Sequence, residues 1–124
     1  TKNYKNNFIF LGQLEKPEGL LQSIDVLLKP TRLNNPWGRD ILEALSFGKP
    51  VISIGKYKKF VETNKTGLLQ EKYDANKIKD WLIALEANRQ ILNQYATEAK
   101  KRVKKFCDPY KASKRLIEVW TRKK

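Results

Sequence analysis

Lys29-Pro-Thr-Arg-Leu-Asn-Asn-Pro-Trp-Gly-Arg-Asp-Ile-Leu-Glu-Ala-Leu-Ser-Phe-Gly-Lys-Pro-Val-Ile-Ser-Ile-Gly55 is the stretch whose reading decides the fold. Just upstream, the run Asp25 to Leu28 is mostly apolar and ends at Pro30. A turn-rich loop follows, then a helical pattern from Gly38 to Phe47, then the apolar run Val51 to Ile54. The order strand, loop, helix, strand predicts a parallel pair whose strands are covered on both faces. The loop after the first strand then lies at the carboxyl edge of the sheet, where open α/β sheets bind ligands.

That placement makes the loop the expected site. Gly38 lets backbone approach a ligand closely, and the first free N–H groups of the helix face the crevice. An anion suits such a place. Glu43 lies just over one turn inside, positioned to accept hydrogen bonds from hydroxyls beside an anion, as a ribose diol lies beside a diphosphate. Asp40 and Glu43 also have a plainer reading, because acids near a helix start stabilise its dipole without binding anything. Lys29, Arg32 and Arg39 surround the anion position as compensating charge or as ordinary surface bases. Trp37 either walls the pocket or fills core.

Five motifs stand in order along the chain: Phe10-Leu-Gly12, Asp25-Val-Leu-Leu-Lys-Pro-Thr31, Pro36-Trp-Gly38, Glu43-Ala-Leu-Ser-Phe-Gly-Lys-Pro-Val51 and Thr66-Gly-Leu-Leu69. Together they resemble the donor-binding domain of glycosyltransferase family 4. The resemblance implies one half of a GT-B enzyme, in which two Rossmann-like domains face each other across a cleft. It further implies a nucleotide-diphosphate sugar of UDP or GDP type as donor, retention of anomeric configuration, and no metal cofactor. The family's Glu-x7-Glu motif puts its second Glu at Glu43, similar in role to a ribose ligand. Its first Glu falls at Asn35, a departure. An amide there can bind a sugar hydroxyl but cannot stabilise positive charge on the sugar as a carboxylate can. Pro36-Trp37-Gly38-Arg39-Asp40 resembles a loop variant of some members. The resemblance therefore assigns Asn35, Trp37, Gly38 and Arg39 to the donor sugar and phosphate. Gly55 and Lys56 join them from the next loop, where the family has a glycine pair and Lys56 stands for the second glycine.

The chain has 124 residues, enough for one domain with a modest core and too few for a complete two-domain enzyme. In the resemblance, Phe8 to Leu11 is the third strand of the domain. The two strand-helix units expected before it, with their phosphate-clamping Arg and Lys, have no counterpart here. Phe8 to Leu11 is then expected either to shift sideways onto Val26 to Leu28 or to await strands from a longer protein, and the second is preferred. The fold expected is α/β, Rossmann-like, with a partial parallel sheet of about four strands flanked by helices (residues 1–70) and a helical tail (71–124).

Composition excludes several chemistries. There is no His, so Ser-His-Asp and Cys-His catalysis are excluded within this chain. The one cysteine, Cys107, rules out an internal disulfide, suits a reducing cytoplasm, and is expected as a partly packed thiol. With no His and one Cys, a zinc site is not expected. No apolar run approaches a membrane span, and no charged-then-apolar leader opens the sequence.

The formal charge is +13, and late bases concentrate in Lys100, Lys101, Arg102, Lys104, Lys105, Lys111, Lys114, Arg115, Arg122, Lys123 and Lys124. These read as a solvated helix face or as a patch for an anionic membrane surface, which places the chain in the cytoplasm or at the inner face of the membrane. Charge also raises nucleic acid as a partner, against which stands the lack of a recognisable reading helix, zinc finger or stacking sheet. A domain that merely stabilises a partner is a third reading.

The remaining elements follow from spacing. Pro17 to Ile24 predicts a short helix with Leu20, Leu21 and Ile24 inward; Gly48 ends the central helix, and Pro50 opens the next strand. Phe60 to Glu62 predicts a helical turn, Asn64 to Gly67 a turn, and Leu68-Leu69 an end strand. Asp74 caps a helix with Ile78, Trp81, Leu82 and Leu85 on one face. A helix from about Asn88 to Phe106 buries Ile91, Leu92, Tyr95, Ala99, Val103 and Phe106. Asp108-Pro109 starts a last helix carrying Tyr110, Leu116, Ile117 and Trp120. In the family such a helix crosses to the other domain.

Overall fold

The computed structural model describes residues 5–31 and 38–122. After a 3-10 turn at Lys5–Asn7 come α1 (Glu18–Ser23), β1 (Leu27–Lys29), α2 (Arg39–Ser46), β2 (Val51–Ile54) and β3 (Gly67–Gln70). Three helices complete the chain: α3 (Ala75–Ala87), α4 (Gln90–Phe106) and α5 (Pro109–Thr121).

The three strands form one parallel sheet in the order β1-β2-β3. Leu27 pairs with Val51 and Lys29 with Ser53, while Val51 pairs with Gly67 and Ile54 with Gln70. Every residue of β2 is buried, as a central strand covered on both faces requires. Because neighbouring side chains alternate, Val51 points into one layer and Ile52 into the other. On the first face Val51 packs with Leu21, Ile41, Ala44, Leu45, Phe60, Val61 and Ala99. On the second, Ile52 packs with Leu68 and Ile78, with Val26 and Trp81 against them. Helix α2 contributes Ile41, Ala44 and Leu45 at the spacing of one helical face. It ends at Gly48, whose φ is 73°. Asp74 caps α3 by accepting from the Asn76 and Lys77 N–H groups at 3.0 and 3.1 Å. Asp108 caps α5 in the same way, with Pro109 at the first position. Stacking of Trp81 on Tyr95, 5.9 Å apart and 8° from parallel, joins α3 to α4.

The α/β class, the parallel sheet and the helical tail agree with the expectation; several details differ. Phe8 to Leu11 is not a strand and pairs with nothing among the described residues; Ile9 is 83% exposed and Phe10 95%. A strand exists only where a neighbour takes its backbone groups. In the expected strand order two strands lie between this run and β1, and among the described residues no strand occupies that side of β1. The sideways shift onto Val26 to Leu28 does not occur. Helix α5 has its amphipathic pattern but buries no residue: Leu116, Ile117, Val119 and Trp120 are all exposed. In α4 only Tyr95 and Ala99 are buried, and Phe106 is exposed. In α1 only Leu21 is buried, and in α3 only Ile78 and Leu85. Phe60 to Glu62 is not helical: a turn at residues 58–60 leads into extended backbone, and Thr63 bridges to Gly67. Cys107 is exposed rather than partly packed.

Candidate functional site

Parallel pairing brings the carboxyl ends of β1 and β2 side by side, since Lys29 lies opposite Ser53. The β1 end opens into the start of α2, and the β2 end into Gly55. Asn35 and Trp37, together with Arg32, lie outside the described residues.

Gly38 is the N-cap of α2 in extended conformation and, having no side chain, supplies no side-chain acceptor to the first N–H groups of the helix. A Cβ there would stand 2.7 Å from Lys29 Nζ and 2.6 Å from Asp40 Oδ1, the flexible ends of two side chains that would have to shift. Those two atoms are joined across it: Lys29 Nζ donates to Asp40 Oδ1 at 2.8 Å. The Lys29 side chain is 18% exposed. The helix start thus carries a fixed ammonium beside the dipole's positive end, with Asp40 as its resident counter-charge. Asp40 therefore realises the plainer reading of a first-turn acid, while Lys29 stands where an incoming anion would meet it.

One turn on, Arg39 Nε donates to Glu43 Oε1 at 2.6 Å. This bond raises the Arg39 pKa above its ordinary value. The Arg39 side chain is 91% exposed and paired with Glu43. A pair so open to water contributes little. Glu43, with a carboxylate able to accept several bonds, keeps the capacity to take a ligand hydroxyl in exchange or in addition.

At the end of β2, the Gly55 N–H donates to the Gln70 carbonyl at 2.7 Å, with φ at 144°. Lys56 Nζ lies 3.7 Å from Glu71 Oε2. A cavity of about 380 Å³ opens here, lined by Gly55, Lys56, Lys58, Glu62, Thr63 and Glu71 among others. The structure thus divides the expected residues into two clusters at the same sheet edge. Gly38, Arg39 and Glu43 stand with Lys29 and Asp40 on the β1 side, and Gly55 and Lys56 border the cavity after β2.

Sequence reasoning missed Arg102. Grouped by composition with a solvated basic face, it is instead only 19% exposed and reaches across from α4 to the loop after β2. Its Nη1 donates to the Lys58 and Lys59 carbonyls at 3.1 Å each, and its Nη2 pairs with Glu62. The hydrogen bond from Lys65 Nζ at 2.6 Å, with Arg102 adding to it, lowers the Glu62 pKa. No local signal marks Arg102, because its partners lie 40 to 44 residues away. Thr66, read only as part of a turn and motif, is fully buried. It donates from Oγ1 to the Phe60 carbonyl at 2.9 Å and accepts from the Glu62 N–H at 2.9 Å.

A parallel α/β sheet flanked by helices is a Rossmann-like arrangement, and it brings Lys29, Gly38 and Glu43 together at its carboxyl edge. The profile of the family described as "Glycosyl transferases group 1" matches residues 1–102, and the chain belongs to that family. Among solved structures, Anabaena HepE (Alr3699) in complex with UDP and glucose is similar over 94% of this chain at 22% identity, with a TM-score of 0.83. The same protein in complex with UDP is similar over 82% at 21% identity (TM-score 0.74), and in complex with UDP-glucose over 82% at 21% (TM-score 0.72). This chain spans 29% to 32% of the length of those chains. No curated protein gave a significant match.

Proposed function

We propose that the chain is the donor-binding portion of a retaining family 4 glycosyltransferase that takes a nucleotide-diphosphate sugar, with UDP the first candidate base, and needs no metal. The observation that carries the reading is the start of α2: first N–H groups to which Gly38 supplies no side-chain acceptor, the Lys29 ammonium beside them, and Glu43 one turn in. Family membership and the solved proteins of similar fold that hold UDP or UDP-glucose support the same assignment. On this reading the diphosphate lies against the helix start, Glu43 takes the ribose hydroxyls from Arg39, and Gly55 and Lys56 face the sugar and phosphate. Asn35 and Trp37 complete the donor side from the intervening loop. Asn35 positions the sugar through hydrogen bonds without supplying negative charge, so catalysis rests on position and on the electrostatics of the bound diphosphate.

The acceptor, a glycan or lipid-linked glycan of polysaccharide or glycolipid synthesis, is bound by an N-terminal domain outside this sequence. The first two strand-helix units of the donor domain likewise lie outside it, and the 124 residues alone do not turn over. The enzyme works in the cytoplasm, with the basic C-terminal helices toward an anionic membrane face. The α/β part is residues 1–70 and the helical part 71–124.

Titration of the isotope-labelled chain with UDP, GDP and ADP, then with their sugar conjugates at fixed ionic strength, tests this. Localised amide shifts at residues 38–43 and at Gly55, stronger for one base, are expected, and Glu43→Ala should weaken the binding. Absence of any nucleotide-dependent shift in a well-dispersed spectrum overturns the reading. Tight nucleic-acid binding with a steep salt slope would replace it by a basic binding module.

A further inference from the structure

The loop from Gly55 to Phe60 follows the central strand and carries Lys56 and Lys58 to the rim of the 380 Å³ cavity. Its far end is held by groups from elsewhere in the chain. Three successive carbonyls are taken there: those of Lys58 and Lys59 by Arg102, and that of Phe60 by Thr66. Arg102 Nη2 also pairs with Glu62, which Lys65 grips from the other oxygen. Phe60, 7% exposed, also meets Phe106 of α4 edge-on at 6.3 Å. The loop therefore takes its shape from α4, not from its own sequence.

We propose that Arg102 is a positioning residue for the donor site: its guanidinium clamps the Lys58 and Lys59 carbonyls and thereby presets Lys56 and Lys58 for an anionic ligand at the cavity. This rests on the reading of that loop as part of a nucleotide-sugar site. The physical case lies in the fork. A planar guanidinium with five donors serves two carbonyls and a carboxylate at once, whereas an ammonium on a flexible stem keeps the charge but not the geometry. The Arg102 side chain is one-fifth exposed and its bond to Glu62 is partly buried, while the two carbonyls it holds lie at the surface. A loop ordered before binding does not have to be ordered by the ligand.

The test compares the 124-residue chain with Arg102→Lys and Arg102→Ala variants. Three quantities are read: thermal midpoint, amide shifts and hydrogen exchange across Gly55 to Glu62 without nucleotide, and UDP affinity at fixed ionic strength. Arg102→Lys is expected to leave the shifts of β1, β2 and α2 in place. It should move the Lys58 to Val61 amides, speed exchange of the Glu62 N–H, and weaken UDP about fivefold; Arg102→Ala, if it folds, should do more. Unchanged loop amides in Arg102→Lys would refute the clamp. Altered loop amides with wild-type affinity for UDP would refute its role in binding. If the unaltered chain shows no UDP shifts, the donor-site reading falls and takes the binding role with it, while the exchange data still decide whether Arg102 holds the loop.

Discussion

Gly67→Ala is expected to be the most damaging single-methyl change in the sheet. Gly67 begins β3 opposite Val51 with φ at 152°, a region that L side chains rarely adopt. A Cβ built there stands 1.9 Å from the Val51 carbonyl oxygen and 2.7 Å from Val51 N and C. Those are backbone atoms of the fully buried central strand, so no rotamer change relieves them. Reaching even 3.0 Å from the oxygen needs a displacement of 3.0 − 1.9 = 1.1 Å. A comparable separation of the strands would stretch the bond from Val51 N–H to the Thr66 carbonyl, now 3.0 Å, beyond useful length. Backbone strain of about 1–3 kcal/mol and the loss of one or two hydrogen bonds of about 1 kcal/mol each give roughly 3–5 kcal/mol. Urea unfolding reads this as a midpoint lower by roughly 2 M or more. Gly19→Ala supplies the contrast. It lies in α1 with nothing within 4 Å of its Cβ, and is expected to stabilise by about 0.5 kcal/mol. A Gly67→Ala midpoint within about 0.5 M of the parent, with an unchanged slope, would refute the close-approach account.

Thr66→Val keeps the branched shape but removes both bonds of the buried hydroxyl, so urea unfolding should register a loss of about 1–3 kcal/mol, largely restored in Thr66→Ser. Ser53 Oγ is buried with no hydrogen-bond partner among the described residues, and Ser53→Ala should leave thermal stability unchanged or raise it; a clear loss would mean that the hydroxyl is satisfied in solution. The Glu62 carboxyl sits below its ordinary 4.5 because of Lys65 first and Arg102 next. Its contribution is therefore present above pH 4.5, where the unfolded group is also ionised, and is lost as pH falls below that through the folded value. Unfolding followed from pH 6 to pH 3 should show this slope, and Glu62→Gln should flatten it.

How legible each part was depends on where its partners lie. Helix α2 was legible because Ile41, Ala44 and Leu45 repeat with the period of the element that buries them. The Asp74 and Asp108 caps were legible because donor and acceptor lie within three residues. Phe8 to Leu11 has strand composition, yet pairing is decided by what lies beside it. The apolar residues of α5 are likewise visible in sequence while their cover is not. At the start of α2 the positions of Gly38 and Glu43 on the helix were legible, but the ion pairs of Arg39 and Lys29 were not. Their charges go to Glu43 and Asp40, an allocation set by side-chain reach once the loop is closed.

The motif Thr66-Gly-Leu-Leu69, which helped to carry the resemblance, has a role that its sequence does not announce. Thr66 is fully buried, and it ties the Phe60 carbonyl to the Glu62 N–H. Gly67 admits the Val51 carbonyl at a distance that no side chain tolerates. Both fix the approach of β3 to β2, and with Arg102 they determine where the chain between Gly55 and Glu62 can go. The residues that shape this side of the sheet edge are therefore buried or reach in from α4, while those with the exposed charges, Lys56 and Lys58, are carried by the backbone they define. Mutations at Thr66, Gly67 or Arg102 should accordingly move the amide shifts of the chain between Gly55 and Glu62 while leaving those of α2 in place.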